Sequence, residues 1–302
     1  MHVKAENLYK EFDGKAAVVD LSFEARAGMV MGILGPPEAG KTTALRMILN
    51  VLDPDSGSVF YDDRPVSAAV RNAMGYLPEL RGLYQKYSLN DVLVYFARLK
   101  NVSSKKARVE AVRLMDRFGL IENMESPLAS LSQEMQEKVQ ILIAVIHNPD
   151  LLVLDEPFSG FEAKNYRLIR QVIDHFRSEG KTIILASREL SEAETICDEV
   201  ILLDRGGTIL QDNLKRIYKR FHENLIVVEA ADNLQALRTI PGVKKLVQEK
   251  QVARLYVDEQ VSTQKVLDAI IRAVNVSRIE VNRPNLNDIY LQIAPTGMKE
   301  SS

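Results

Sequence analysis

The chain has 302 residues, 46% hydrophobic and 26% charged, which fits a folded globular protein with one large domain and a second, smaller one. Its 39 basic and 41 acidic side chains leave no cationic excess for a polyanion, so no nucleic-acid partner is expected. The single cysteine, Cys197, excludes an internal disulfide and a Cys-rich zinc module. No apolar run approaches the ~20 residues that span a bilayer, and Met1 to Asn7 lacks the apolar core of an export signal.

In chain order, Val3 to Leu8 and Val18 to Glu24 read as strands on either side of an Asp13-Gly14 turn. Met29 to Leu34 is an apolar run closing on Gly35, the pattern of a buried parallel strand. Thr43 to Val51 then has helical spacing and stops before Asp53-Pro54. A helical insertion is expected over about 89–130, from apolar positions such as Val92, Phe96, Leu99, Val109 and Val112. Strand patterns return at Leu151 to Asp155, Thr182 to Ala186 and Val200 to Asp204, alternating with helical stretches after Ala163 and Ser191, which predicts a parallel sheet covered by helices.

After Asp212 the pattern changes. A basic connecting helix is expected over 213–223, followed by a small α+β domain over 224–296. Its order is strand (Leu225 to Glu229), helix (Asn233 to Thr239), strand (Val243 to Glu249), strand (Val252 to Val257), helix (Ser262 to Val274), strand (Ser277 to Val281), a ferredoxin-like βαββαβ arrangement. A short helix from Leu286 to Ile293 and a disordered tail over 297–302 complete the expectation.

Two motifs carry chemistry. Gly35-Pro36-Pro37-Glu38-Ala39-Gly40-Lys41-Thr42, followed by Thr43, matches GxxxxGK[ST] between a predicted strand and a predicted helix, the context that the motif requires. Such a loop cradles phosphates with its backbone amides, its lysine reaches the β- and γ-phosphates, and its hydroxyl ligates magnesium. Leu151 to Pro157, reading LLVLDEP, places Asp155 and Glu156 at the end of a buried strand, where ionised carboxylates require a metal or a charged network. Asp155 is expected to help hold Mg2+ and Glu156 to polarise an attacking water.

The order of these motifs, with Leu131-Ser132 lying 24 residues before Asp155, resembles the ATPase subunit of the ABC transporter family over residues 1–212. The strings HNPDLLVLDEPFSG and GYLPELRGLY are similar to its sodium-exporter-like bacterial branch, whose members carry a C-terminal accessory domain. The resemblance implies an α/β P-loop NTPase fold with a parallel-sheet core, an antiparallel β part and a helical insertion. It implies ATP and Mg2+ as cofactors and a homo- or heterodimer formed through the nucleotide-binding domain. It also implies a transmembrane permease as partner, so that the chain is cytoplasmic and peripheral on the inner face of the cell membrane.

By the same resemblance, Phe12 falls at the aromatic that stacks on adenine, although a core phenylalanine would fit the pattern too. Glu79 falls at the γ-phosphate-sensing position beside the metal, and Ser132 at the segment that meets the nucleotide of the opposite subunit. Gly160 and Glu162 fall in the loop between the two sites, and Arg188 where a histidine normally contacts the γ-phosphate. Three positions depart from the family: Glu38 and Glu134 replace glycines near phosphate, and Arg188 lacks the acceptor nitrogen of a neutral imidazole. These departures suggest attenuated hydrolysis, and the alternative to a transport ATPase is a degenerate nucleotide-binding module with a regulatory or structural role.

Overall fold

The protein is described by a computed structural model covering residues 1–79, 82–159, 163–221, 224–231, 233–258, 260–282 and 284–294. It divides into two compact units, Met1–Gln211 and Asp212–Ser302. Gly160, Glu162 and the tail expectation for 297–302 lie outside the described residues.

The first unit opens with β1 (Val3–Phe12) and β2 (Lys15–Ala25), paired antiparallel across the Asp13-Gly14 turn. In β2 the buried Leu21, Phe23 and Ala25 alternate with exposed residues, the period-2 pattern of a half-buried sheet, and a register shift at the left-handed Asp20 returns the buried Val18 to the core after three residues. β3 (Val30–Leu34) is buried throughout, as a central strand covered on both faces must be. Then follow α1 (Lys41–Ile48), β4 (Ser56–Tyr61), α2 (Ala68–Asn72) and β5 (Met74–Leu77). The helical segment comprises α3 (Leu89–Leu99), α4 (Ser104–Arg117), two short 3-10 turns and α5 (Gln133–Val145). The rest is β6 (Leu151–Asp155), α6 (Ala163–Ser178), β7 (Thr182–Ser187), α7 (Leu190–Glu194), β8 (Glu199–Asp204) and β9 (Gly207–Asn213).

Among the described residues these strands form one nine-stranded sheet in the order β4-β1-β2-β9-β8-β3-β7-β6-β5. β8, β3, β7, β6 and β5 run parallel, whereas β4, β1 and β2 pair antiparallel. The parallel register aligns Leu34 with Ser187 and Leu154 with Leu185, so β3, β6 and β7 end together. Ligands of open parallel sheets bind at that carboxyl edge. Leu8, Leu21, Ile33, Leu45, Ile48, Val153, Ile184 and Ile201 belong to one core that anchors α1 against these strands. The buried Tyr61 hydroxyl donates to the Ile48 carbonyl and so satisfies one acceptor at the end of α1.

In the second unit, α8 (Leu214–Arg220) precedes β10 (Asn224–Ala230), a 3-10 helix (Leu234–Thr239), β11 (Val243–Glu249), β12 (Val252–Val257), α9 (Thr263–Ala273), β13 (Val276–Asn282) and α10 (Leu286–Ile293). The sheet order is β11-β12-β10-β13 with every ladder antiparallel, which is two interleaved βαβ units. The first crossover helix is 3-10 rather than α. Ile226, Val228, Leu255, Leu237, Val266 and Ile270 form a core of this unit's own. Because Tyr256 points opposite to Leu255, its hydroxyl reaches the Asp288 carbonyl of α10 on the other face of the sheet. The helix expected over 213–223 is thus the seven-residue α8, and it groups with the second unit.

Candidate nucleotide-binding site

The carboxyl ends of β3 and β6 and the start of α1 meet at one cleft of about 240 Å³, lined by Ala17, Pro37–Thr43, Glu79, Glu156 and Arg188. Two glycines shape the loop. A Cβ on Gly35, at φ 155°, would lie 2.2 Å from the Leu203 carbonyl, and one on Gly40, at φ 95°, would lie 2.1 Å from the Ala17 carbonyl. Any side chain at either position would push the loop off the sheet. Gly40 caps α1 without a side-chain bond, so the first-turn amides have no intrahelical acceptor and form an electropositive helix end.

Lys41 is 6% exposed and Glu156 4% exposed. The Lys41 ammonium donates to the Gly35 and Pro36 carbonyls, both at 2.9 Å, and lies 3.3 Å from the Glu156 carboxylate. Glu156 has a left-handed backbone, φ 45°, held by its N–H donating to the Ala186 carbonyl at 2.9 Å. A bulky residue in that conformation costs of order 1–3 kcal/mol, and such strain concentrates at functional positions. Its carboxylate also accepts from the Arg188 backbone N–H at 3.1 Å.

Asp155 is 1% exposed. The Thr42 hydroxyl donates to Oδ1 at 3.2 Å and the Tyr76 hydroxyl to Oδ2 at 3.4 Å. Burial raises its pKa, the Thr42 hydrogen bond opposes the rise, and the charges of Glu79 and Glu156 add to it. No cationic side chain forms an ion pair with Asp155 among the described residues. Thr42 and Asp155 therefore present hard oxygen donors and an uncompensated negative charge, which suits Mg2+ held with phosphate oxygens. Among the described residues no group of three or more His, Cys, Asp or Glu could hold a metal. An ion bound by one carboxylate, a hydroxyl and its substrate needs no such group.

Phe12 and Ser132 are not among the residues that line this cleft. Phe12 is 47% exposed at the end of β1, which excludes the core alternative, and the Lys10 ammonium sits 5.7 Å from its ring. Ser132 caps α5, its hydroxyl accepting from the Met135 amide at 3.3 Å. Each departing charge has a protein partner. Glu38, at φ 62°, extends an 86% exposed side chain toward Lys15 at 3.8 Å. Glu134 pairs with Lys138 at 3.1 Å, and the Arg188 guanidinium donates to Ser159 at 2.8 Å. Tyr76 and Ser159 lie within the two strings that carry the branch resemblance, but nothing in the sequence assigns either a role at the site. Only the parallel pairing of β5 with β6 and the fold of the loop after β6 bring them to the site.

Comparison with known proteins identifies the family. The ABC transporter family profile matches residues 18–159, and that of the C-terminal domain of DrrA1-3-like ATP-binding proteins matches residues 213–294. The ABC transporter ATP-binding protein YhaQ of Bacillus subtilis is 31% identical over 287 residues, covering 95% of this chain and 96% of its own length. The ABC transporter ATP-binding protein NatA of the same organism is 34% identical over 207 residues, covering 67% and 84%. A solved ATP-binding subunit of an ABC transporter superposes with a TM-score of 0.68 at 24% identity, covering 73% of this chain and 93% of its own, and so supports the fold. The chain belongs to the ATP-binding subunits of ABC transporters, nucleotide-binding ATPases that serve transport, and carries a DrrA-like C-terminal domain.

Proposed function

We propose that this chain hydrolyses Mg-ATP as one half of a nucleotide-binding dimer and couples the cycle to an export permease. The observation that carries the reading is the buried Lys41–Glu156 pair beside the Thr42–Asp155 contact. Lys41 meets the β- and γ-phosphates, and the first-turn amides of α1 hold the phosphate oxygens. Thr42 and Asp155, with Glu79 at the rim, hold magnesium, which when bound neutralises phosphate charge. Glu156 orients the attacking water and accepts its proton. Phe12 stacks on the base from outside the cleft.

The position of Ser132 at the exposed start of α5 supports a site completed by a second subunit. An exposed aromatic cluster supports a protein partner: Tyr84, Tyr87 and Tyr95 are 53%, 60% and 49% exposed, with Tyr84 6.3 and 6.1 Å from the other two rings. Contiguous exposed apolar surface marks an interaction site. Among the described residues no helix is long and apolar enough to cross a membrane, so that partner supplies the channel. Export follows from the likeness to the sodium-exporter-like branch.

The test is Mg-ATP hydrolysis beside equilibrium binding. Glu156→Gln is expected to lower turnover ~10²–10⁴-fold with ATP affinity kept. Lys41→Ala is expected to weaken binding about 10- to 100-fold, the worth of a charge-assisted contact. A wild type that binds ATP without hydrolysing it, with the permease present, would favour the degenerate module instead.

A further inference from the structure

Asp155 has two hydroxyl donors and they approach from different elements. Thr42, on α1, reaches Oδ1, and Tyr76, on the edge strand β5, reaches Oδ2. The parallel register sets Tyr76 beside Val153 and Leu77 beside Leu154, so the tyrosine stands just upstream of the carboxylate. Its ring packs against the main core, which fixes the hydroxyl in place. At 3.2 and 3.4 Å both contacts exceed the ~2.7–2.8 Å usual for O–H···O bonds. Two long, neutral contacts orient a carboxylate without cancelling its charge. A phenol is protonated at neutral pH, so the Tyr76 hydroxyl is a donor there.

We propose that Tyr76 is a positioning residue for the metal-holding carboxylate: with Thr42 opposite, its hydroxyl fixes the orientation in which Asp155 receives magnesium. The proposal rests on the reading of this cleft as a Mg-ATP site. It separates the two roles of Tyr76, because the ring serves the core and only the hydroxyl serves the metal.

Tyr76→Phe removes the hydroxyl and keeps the ring. Binding of a non-hydrolysable ATP analogue is measured by calorimetry in EDTA and across a magnesium titration, with thermal unfolding in EDTA as the check on folding. The expected result is unchanged affinity and unfolding in EDTA, with the magnesium concentration for half of the metal-dependent gain raised about tenfold, a typical loss for an outer-shell partner. An unchanged magnesium midpoint would overturn the proposal while leaving the nucleotide site intact. Equal weakening in EDTA and in magnesium would also overturn it, since that marks a structural role. A wild type that binds no nucleotide in either condition would overturn the site reading, and this inference with it.

Discussion

Among the described residues each unit buries one aspartate, and the two are treated in opposite ways. Asp288, in the second unit, faces the Arg254 guanidinium at 3.2 Å and forms a reciprocal capping box with Asn285 at the start of α10. Its charge is matched inside the fold. Among the described residues Asp155, in the first unit, receives only two hydroxyls and has Glu156 next to it and Glu79 nearby. Its charge is left for something that is not a side chain. Burial of a carboxylate is therefore no sign of a site by itself; among the described residues Asp155 is set apart because no side-chain cation pairs with it, whereas its neighbour Glu156 meets the phosphate-loop lysine.

The largest expected effect breaks that comparison directly. Asp155→Asn is expected to lower magnesium-dependent hydrolysis ~100-fold or more while leaving the unfolding midpoint near that of the wild type. Asp288→Ala should do the reverse. Loss of the ion pair and the cap costs about 1–3 kcal/mol in denaturant unfolding, with turnover per folded molecule unchanged. If Asp155→Asn destabilises the fold and spares hydrolysis, the two carboxylates have been assigned to the wrong roles.

A half-buried histidine sharpens the same contrast with a smaller effect. His147 follows α5, and its Nε2 lies 2.9 Å from the Met74 carbonyl; because a carbonyl only accepts, Nε2 carries the proton. Nδ1 is buried with no hydrogen-bond partner among the described residues, so protonating it would strand an N–H. Burial accordingly lowers the pKa from 6.5 to about 4. Between those values the unfolded chain binds a proton that the folded chain does not. The contribution of His147 to stability is thus greatest above pH 6.5 and falls as the pH drops toward 4, by about 3 kcal/mol. Denaturant unfolding of His147→Gln should show a shallower acid slope than the wild type over that window, and an identical slope would refute the assignment.

Legibility in the sequence followed burial. Strands covered on both faces, such as β3 and β6, stand out as unbroken apolar runs, and the phosphate-loop motif marks the start of α1. β4, β5 and β9 give no such signal. β4 begins with three exposed residues, β5 has only four residues, and β9 is mostly polar. Because β5 is silent, so is the tie from Tyr76 to Asp155, which spans 79 positions and depends on strand register. The charges at the three departing positions were legible, but their directions were not. Lys15, Lys138 and Ser159 lie beside them only once the chain has folded.

Glu38 gives the smallest effect and is the most direct test of the attenuation idea. A carboxylate about 4 Å from a phosphate charge at an effective dielectric near 20 would be repelled by ~4 kcal/mol. In the structure this side chain is 86% exposed and lies 3.8 Å from Lys15, where water and a counter-charge screen it. In bulk water the same pair would interact by only about 1 kcal/mol. What remains is backbone strain: a left-handed non-glycine residue costs roughly 1–2 kcal/mol, and glycine returns about 0.5–1 kcal/mol of that through its freer unfolded chain. Glu38→Gly should therefore stabilise the fold by under ~1 kcal/mol in denaturant unfolding and raise turnover less than about fivefold. Turnover that rises a hundredfold or more would mean that the Glu38 carboxylate turns inward when nucleotide binds, and that this one substitution governs the rate.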